Sequence, residues 1–388
     1  MSLDPISAVP TDDPYPLDRE LRDDHPVYYS PERDLWYLSR YADVHDAVNN
    51  AGVFSSAQGV VPSGFVSDTP VLITMDPPDH TELRKAVQRA FTPKQIAEME
   101  QHIRDVAGQL LDAIPTSGEV DAVTSFTDQL PLLVMTELLG VDLADRAMFK
   151  RCGDIIVSQK DVNDMAAAQI ELTEYLAGVF AKRRAEPRDD FITKLVSPTE
   201  AGDTLSDGDL LGLCFLLLVA GTETTTGGLG TAMVLLDRFH DARDQLLAHP
   251  ELMTTAVDEI LRYDAPTQGL SRVLISDVEL HGTTIPAGAR VHLLFAAANH
   301  DERQFPDPDR FDVTRAPNQH LAFGFGNHYC LGASLAKMEI KVGMEELLRR
   351  APDYTISTGG IERMPSETNR SFSSLRFVPS GRVGATVG

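Results

Sequence analysis

Basic residues are scarce in this chain: 34 Lys and Arg stand against 58 Asp and Glu over 388 residues, a formal charge of −24. So acidic a surface excludes nucleic acid and an anionic membrane as partners. Cysteine is scarcer still, with only Cys152, Cys214 and Cys330. Three cysteines make no disulfide framework and suit a reducing cytosol. No run reaches the ~20 apolar residues that a membrane span needs, and no internal repeat or low-complexity tract is visible. The opening MSLDPISAVPTDDPYP lacks a positive n-region and an apolar h-region, so no signal peptide is expected. The composition is that of a globular protein, 43% hydrophobic and 24% charged, and length alone suggests two or three domains. A soluble cytoplasmic protein is the expectation.

The chain is organised around Phe323-Gly324-Phe325-Gly326-Asn327-His328-Tyr329-Cys330-Leu331-Gly332. Good helix formers follow from Ala333 to Ile340, so Cys330 lies where a loop becomes a helix N-terminus. Exposed N–H groups and the helix dipole favour a negative group there, and thus a thiolate. Gly324 and Gly326 let the backbone fold tightly around the sulfur, and Gly332 leaves room for something flat. Four readings compete. A buried cysteine is the commonest, and a nucleophile has His328 as a possible base. Structural zinc lacks a second cysteine nearby. An axial thiolate on haem iron needs one cysteine and space.

Elsewhere the pattern is mainly helical. Prolines and acids open a helix near Asp76-Pro77-Pro78-Asp79, in which His80 and Arg84 share a face. That pair is a surface pair or, beside a buried dianion, a charge-assisted clamp. Ile96, Met99, Ile103, Val106 and Leu110 form one apolar stripe. Helical patterns continue over 124–139, 142–160, 165–186 and 189–197. The longest spans about 206–239, with Ser206 as N-cap and an apolar run from Leu210 to Val219. Ala220-Gly221-Thr222-Glu223-Thr224-Thr225 breaks that run, with residues locally wrong for a core helix. Threonine hydroxyls bonding back to carbonyls would explain it, and so would a functional groove. Glu259 and Arg262 make an i,i+3 pair. Strand patterns fall at about 27–40, 272–293 (read as a meander) and 354–379.

In this order the motifs resemble the cytochrome P450 family in its soluble bacterial form. The cysteine loop fits the haem-ligand loop, and Ala220 to Thr225 fits the oxygen-activating groove. Glu259-Ile260-Leu261-Arg262 fits the family's Glu-x-x-Arg, with Pro308-Asp309-Arg310-Phe311 supplying a second arginine. The resemblance implies one α-rich, prism-shaped domain over 1–388 with a small β region. Haem b would lie between the long central helix and the helix after Cys330.

The resemblance also implies roles. Cys330 would be the axial thiolate, with Phe323, Gly324, Gly332 and Ala220 around the haem and His80, Arg84, Arg272 and His328 on its propionates. Glu223 and Thr224 would manage protons for the activation of O2. Glu259, Arg262 and Arg310 would form a buried structural triad. Leu216, Val219, Ala220, Thr267 and Gln268 would touch a hydrophobic small substrate, beside the loop 55–75. The implied reaction inserts one oxygen atom of O2 by hydroxylation, epoxidation or O-dealkylation. Electrons would come from a ferredoxin docking near Arg84, Lys85, Arg89, Lys94 and Lys337, since no flavin or iron–sulfur segment is present. The same scaffold could instead be peroxide-driven, independent of external electrons, or a haem sensor without activity.

Overall fold

Ser206 caps the helix Asp207–Arg238, and Asp209 answers it in a reciprocal capping box. Leu210, Leu213, Cys214, Leu217 and Leu218 are buried along it, because its apolar run faces protein on several sides. Length and mean hydropathy would let this helix cross a bilayer, yet 53% of the apolar window is buried inside the protein. It is the central member of a mainly α structure. Gln129–Leu138, Met253–Tyr263 and Ala333–Arg350 pack against it. The structure, a computed structural model, describes residues 3–11, 13–64, 71–88, 91–141, 143–158, 162–188, 190–198 and 204–380.

The predicted stripe from Ile96 to Leu110 is divided between the helices Pro93–Glu98 and Glu100–Ala113. Thr92 and Gln95 form a capping box at the first start. Ile103, Ala107 and Leu111 are the fully buried line, while Val106 and Leu110 flank it. The helix Ala333–Arg350 lies across Glu100–Ala113 and carries the cysteine loop at its N-terminus.

The β elements are more divided than the predicted meander. Val27–Ser30 and Leu35–Leu38 form the expected hairpin, with Val27 opposite Leu38. That hairpin joins a five-stranded sheet in the order Val27–Ser30, Leu35–Leu38, Arg290–Leu294, Gly269–Leu274, Phe54–Ser55. Val278–Leu280 and Thr283–Ile285 pair only with each other among the described strands. The hairpin therefore stands out of the sheet, and Gly269–Leu274 pairs directly with Arg290–Leu294. Gly288, at φ 81°, makes the turn that permits this, its N–H bonded to the Leu274 carbonyl at 2.8 Å. Thr355–Arg363 and Phe372–Val378 form a third sheet with Val120–Asp121.

Candidate active site

The cysteine loop is tied to itself and to its neighbours. Gly324 N–H donates to Leu321 O at 2.8 Å, and Cys330 N–H donates to Phe323 O at 2.9 Å. Gly326 has φ 66°, and a Cβ there would meet Asn49 Oδ1 at 2.8 Å and Val48 O at 3.1 Å. The loop can thus press onto the helix Tyr41–Asn49 only with glycine at that point. Arg84 closes the other side, donating from Nη2 to Tyr329 O at 2.5 Å. Burial pushes the Cys330 thiol up, against the pull of the Gly332 N–H and the Arg84 charge. The helix start therefore does not by itself produce the expected thiolate. A metal cation at the sulfur would, since coordination deprotonates a thiol outright.

Cys330 opens into a cavity with about 1410 Å³ of empty space including its mouth. That exceeds the roughly 300–1,000 Å³ of an ordinary ligand pocket and leaves room for a flat prosthetic group plus a second molecule. The cavity lies between the central helix, through Ala220, Gly221, Thr224 and Thr225, and the helix after Cys330, through Leu335, Glu339 and Ile340. A Cβ placed on Gly332 would meet nothing within 4 Å, so the floor beside the sulfur is open.

Four nitrogenous side chains converge on one side of it. His80, Arg84, Arg272 and His328 all line the cavity. The rings of His80 and His328 stand 4.2 Å apart. Both His80 ring nitrogens are buried with no hydrogen-bond partner. Burial first, then Arg272, His80 and Arg84, depress His328 to about 3. Burial pulls Arg272 down to about 10, opposed by Asp76. Donors are thus gathered here without acceptors, at a cost in desolvation. A dianionic group would answer that demand. Thiol, open floor and cationic corner together fit haem, with Cys330 on the iron and these four residues at the propionates.

On the opposite wall, the hydroxyls of Thr222, Thr224 and Thr225 donate to the carbonyls of Leu218, Ala220 and Gly221. This is the predicted back-bonding, and Thr224 also faces the cavity. Glu223 is absent from the lining. Burial raises its carboxyl, and a hydrogen bond from the Asn369 side chain lowers it. Leu216, Thr267 and Leu270 line the cavity as apolar or small walls with Met135 and Phe91. Gln268 does not. It is buried, and its amide turns away to donate to Ala265 O at 2.6 Å. The side chain of Val219, the residues 65–70 of the loop and Arg89 lie outside the described residues.

The buried charge network is real, but its second arginine is Arg315, not Arg310. Arg262 donates to both Glu259 oxygens at 2.8 Å, and both side chains are fully buried. Arg315 Nε reaches the same oxygens at 3.2 and 3.1 Å, with Asn318 Nδ2 and the Asp312 N–H each at 3.0 Å. The Arg310 side chain is 71% exposed and pairs with Asp312 at 3.7 Å. Phe311 turns inward against Phe239 and Tyr263, so its neighbour Arg310 points out and offers only its carbonyl to Arg262 and Arg315.

Glu339 is a residue that sequence reasoning passed over. It lines the cavity, its Oε2 has no partner, and burial holds its carboxyl well above the usual range. The signal was its register: it stands four residues after Leu335 and three before Val342, both buried. The supposed docking cluster is also changed. Arg84 is turned into the site, and Lys337 pairs with Asp258 at 2.6 Å. Lys85 and Lys94 are exposed, beside Glu82 and Glu98.

The family model for cytochrome P450 matches residues 143–365. The chain is 40% identical over 366 residues to cytochrome P450 130 of Mycobacterium tuberculosis, covering 90% of each protein. It is 37% identical over 374 residues to vitamin D(3) 25-hydroxylase of Pseudonocardia autotrophica, covering 91% of this chain and 93% of that one. The crystal structure of CYP109E1 from Bacillus megaterium in complex with testosterone superposes with a TM-score of 0.88 at 33% identity, over 95% of this chain and 99% of that one.

Proposed function

The chain belongs to the cytochrome P450 family, and from that premise we propose that its haem b monooxygenase chemistry acts on rigid, apolar, steroid-sized molecules. Haem, ligated by Cys330, supplies the activation of O2 from which one oxygen atom enters the substrate. The observation that carries the substrate class is the cavity wall. Leu216, Met135, Phe91 and Leu270 face the space beyond Thr224, and the basic side chains in the lining are gathered at the other side with His80 and His328. Apolar lining with few polar points selects an apolar body with few polar groups. The relatives named for vitamin D(3) hydroxylation and crystallised with testosterone support the same class.

In this reading the side chains divide the work. Thr224 holds a proton on Oγ1 at the cavity wall, oriented by its bond to Ala220 O at 2.8 Å. Glu223, largely buried behind it, is the acid that replenishes that proton. Gly332 N–H and Arg84 moderate the charge on the Cys330 sulfur. Electrons arrive from a ferredoxin at the face bearing Lys85 and Lys94. The chain works as one domain, in the cytoplasm, where its three free cysteines stay reduced.

Titration of the ferric enzyme with testosterone tests the substrate class, by the shift of iron from low to high spin. A saturable shift is expected, and none with any steroid or terpenoid would overturn it. Thr224→Ala tests the proton reading. It should keep the thiolate signature of the reduced carbon-monoxide complex and divert most electrons to hydrogen peroxide. Fully coupled turnover would remove Thr224 from the reaction.

A further inference from the structure

Glu223 is joined to the cavity by a residue that the activity itself does not assign. Asn369 lies on the connection between the strands Thr355–Arg363 and Phe372–Val378. Its backbone forms an isolated antiparallel bridge with Thr267. The flanking backbone is fixed as well, with Gln268 N–H on Thr368 O at 2.7 Å and Arg370 N–H on Pro266 O at 2.6 Å. Ser366 Oγ accepts the Asn369 N–H at 3.0 Å. The amide therefore starts from a fixed Cα.

The orientation of that amide follows from its partners. Thr267 Oγ1 donates to Asn369 Oδ1 at 3.4 Å. The Nδ2 group is then the one that donates to the Glu223 carboxyl, and that hydrogen bond favours the ionised acid. Thr267 lines the cavity, whereas Glu223 does not. One side chain thus spans from the substrate wall to a carboxyl behind the central helix. The neighbouring charges are engaged elsewhere. Arg370 bonds Asp264 and the carbonyls of Val9 and Thr11, and Glu367 reaches Arg33. Arg363 lies toward Asp264 at 3.7 Å. Burial and the Asn369 amide are the two named influences on the Glu223 carboxyl.

We propose that Asn369 is the positioning residue for the proton-supplying acid, and that it links the state of Glu223 to what occupies the cavity at Thr267. The proposal rests on the reading of Glu223 as the acid. A substrate group that takes up the Thr267 hydroxyl releases Oδ1, the amide is free to turn, and Glu223 loses the donor that held it ionised. Proton supply is thereby tied to occupancy. An empty cavity keeps the acid bound away from Thr224.

The test follows the infrared absorption of protonated carboxylic acids in the substrate-free holoenzyme across pH. Glu223→Gln identifies the band that belongs to Glu223. In Asn369→Leu that band should persist to higher pH by about one to two units, the loss of one charge-assisted hydrogen bond. Thr267→Val, which frees the amide without removing it, should move the band in the same direction by less. An unchanged titration in Asn369→Leu overturns the proposal, and so does the absence of any band lost in Glu223→Gln. If Asn369→Leu does not take up haem, Asn369→Ser removes the amide with a smaller change. Electron consumption separates the two readings. A fall in its rate in Glu223→Gln beside an unmoved titration in Asn369→Leu keeps the acid and rejects its positioning residue. An unchanged rate in Glu223→Gln rejects the acid itself.

Discussion

Glu259 takes hydrogen bonds from Arg262, Arg315, Asn318 and the Asp312 backbone, all at 2.8–3.2 Å. Removing Arg315 strands part of a buried carboxylate, so Arg315→Ala should cost about 3–5 kcal/mol. Arg310→Ala, at an exposed site, should stay within about 0.5 kcal/mol of the parent. Urea unfolding of the two variants separates them. Glu339 works in the opposite sense. Its folded-state carboxyl is raised by burial, so its contribution to stability is present below the usual carboxylate range and is lost as pH climbs above it. Glutamine has no proton to lose. The melting temperature of Glu339→Gln should gain on the parent by roughly 2–4 °C between pH 5 and pH 8, and a constant gap would show that the carboxyl is not buried in solution.

The central helix shows how one element serves two ends. A Cβ on Gly230 would meet the Phe372 ring at 2.5 Å, so strand Phe372–Val378 can lie against the helix only at a residue without a side chain. Gly230→Ala should cost about 1–3 kcal/mol through overpacking, despite the roughly 1 kcal/mol that alanine gains in a helix. Gly208→Ala, whose nearest neighbour would be Ser206 Oγ at 3.7 Å, should instead stabilise by about 0.4–1 kcal/mol. Denaturant midpoints decide both. Elements of this kind were legible in the sequence wherever local chemistry announced them: the Ser206 cap, the Thr92–Pro93 start, the threonine back-bonds and the glycine loop. What was not legible depended on direction in space. Arg310 and Arg315 are equivalent as letters, and only the inward turn of Phe311 separates them. Gln268 shares a segment with Thr267, yet its amide points the other way. The long reach from Glu223 to Asn369 crosses more than a hundred residues of chain, and no local pattern encodes it.

At the scale of the molecule, the charge of −24 opposes any acidic partner at long range. A ferredoxin must therefore be received at a local exception, and Lys85 and Lys94 are the exposed cations left once Arg84 and Lys337 are engaged. Reduction by a ferredoxin should slow on the order of tenfold as salt rises from low to high, and Lys85→Glu should lower the low-salt rate and flatten that dependence. Stopped-flow reduction measures both, and indifference to salt and to the substitution would place the partner elsewhere. The cavity, meanwhile, takes its two sides from separate parts of the chain. Cys330 and its loop are held from behind by Asn49 and Arg84, while Met135, Leu216 and Thr267 face the space opposite. A substitution on the far side leaves the bonds around the sulfur untouched. Descendants of such a molecule can change their diet one residue at a time, and no ancestor along the way has to give up its chemistry.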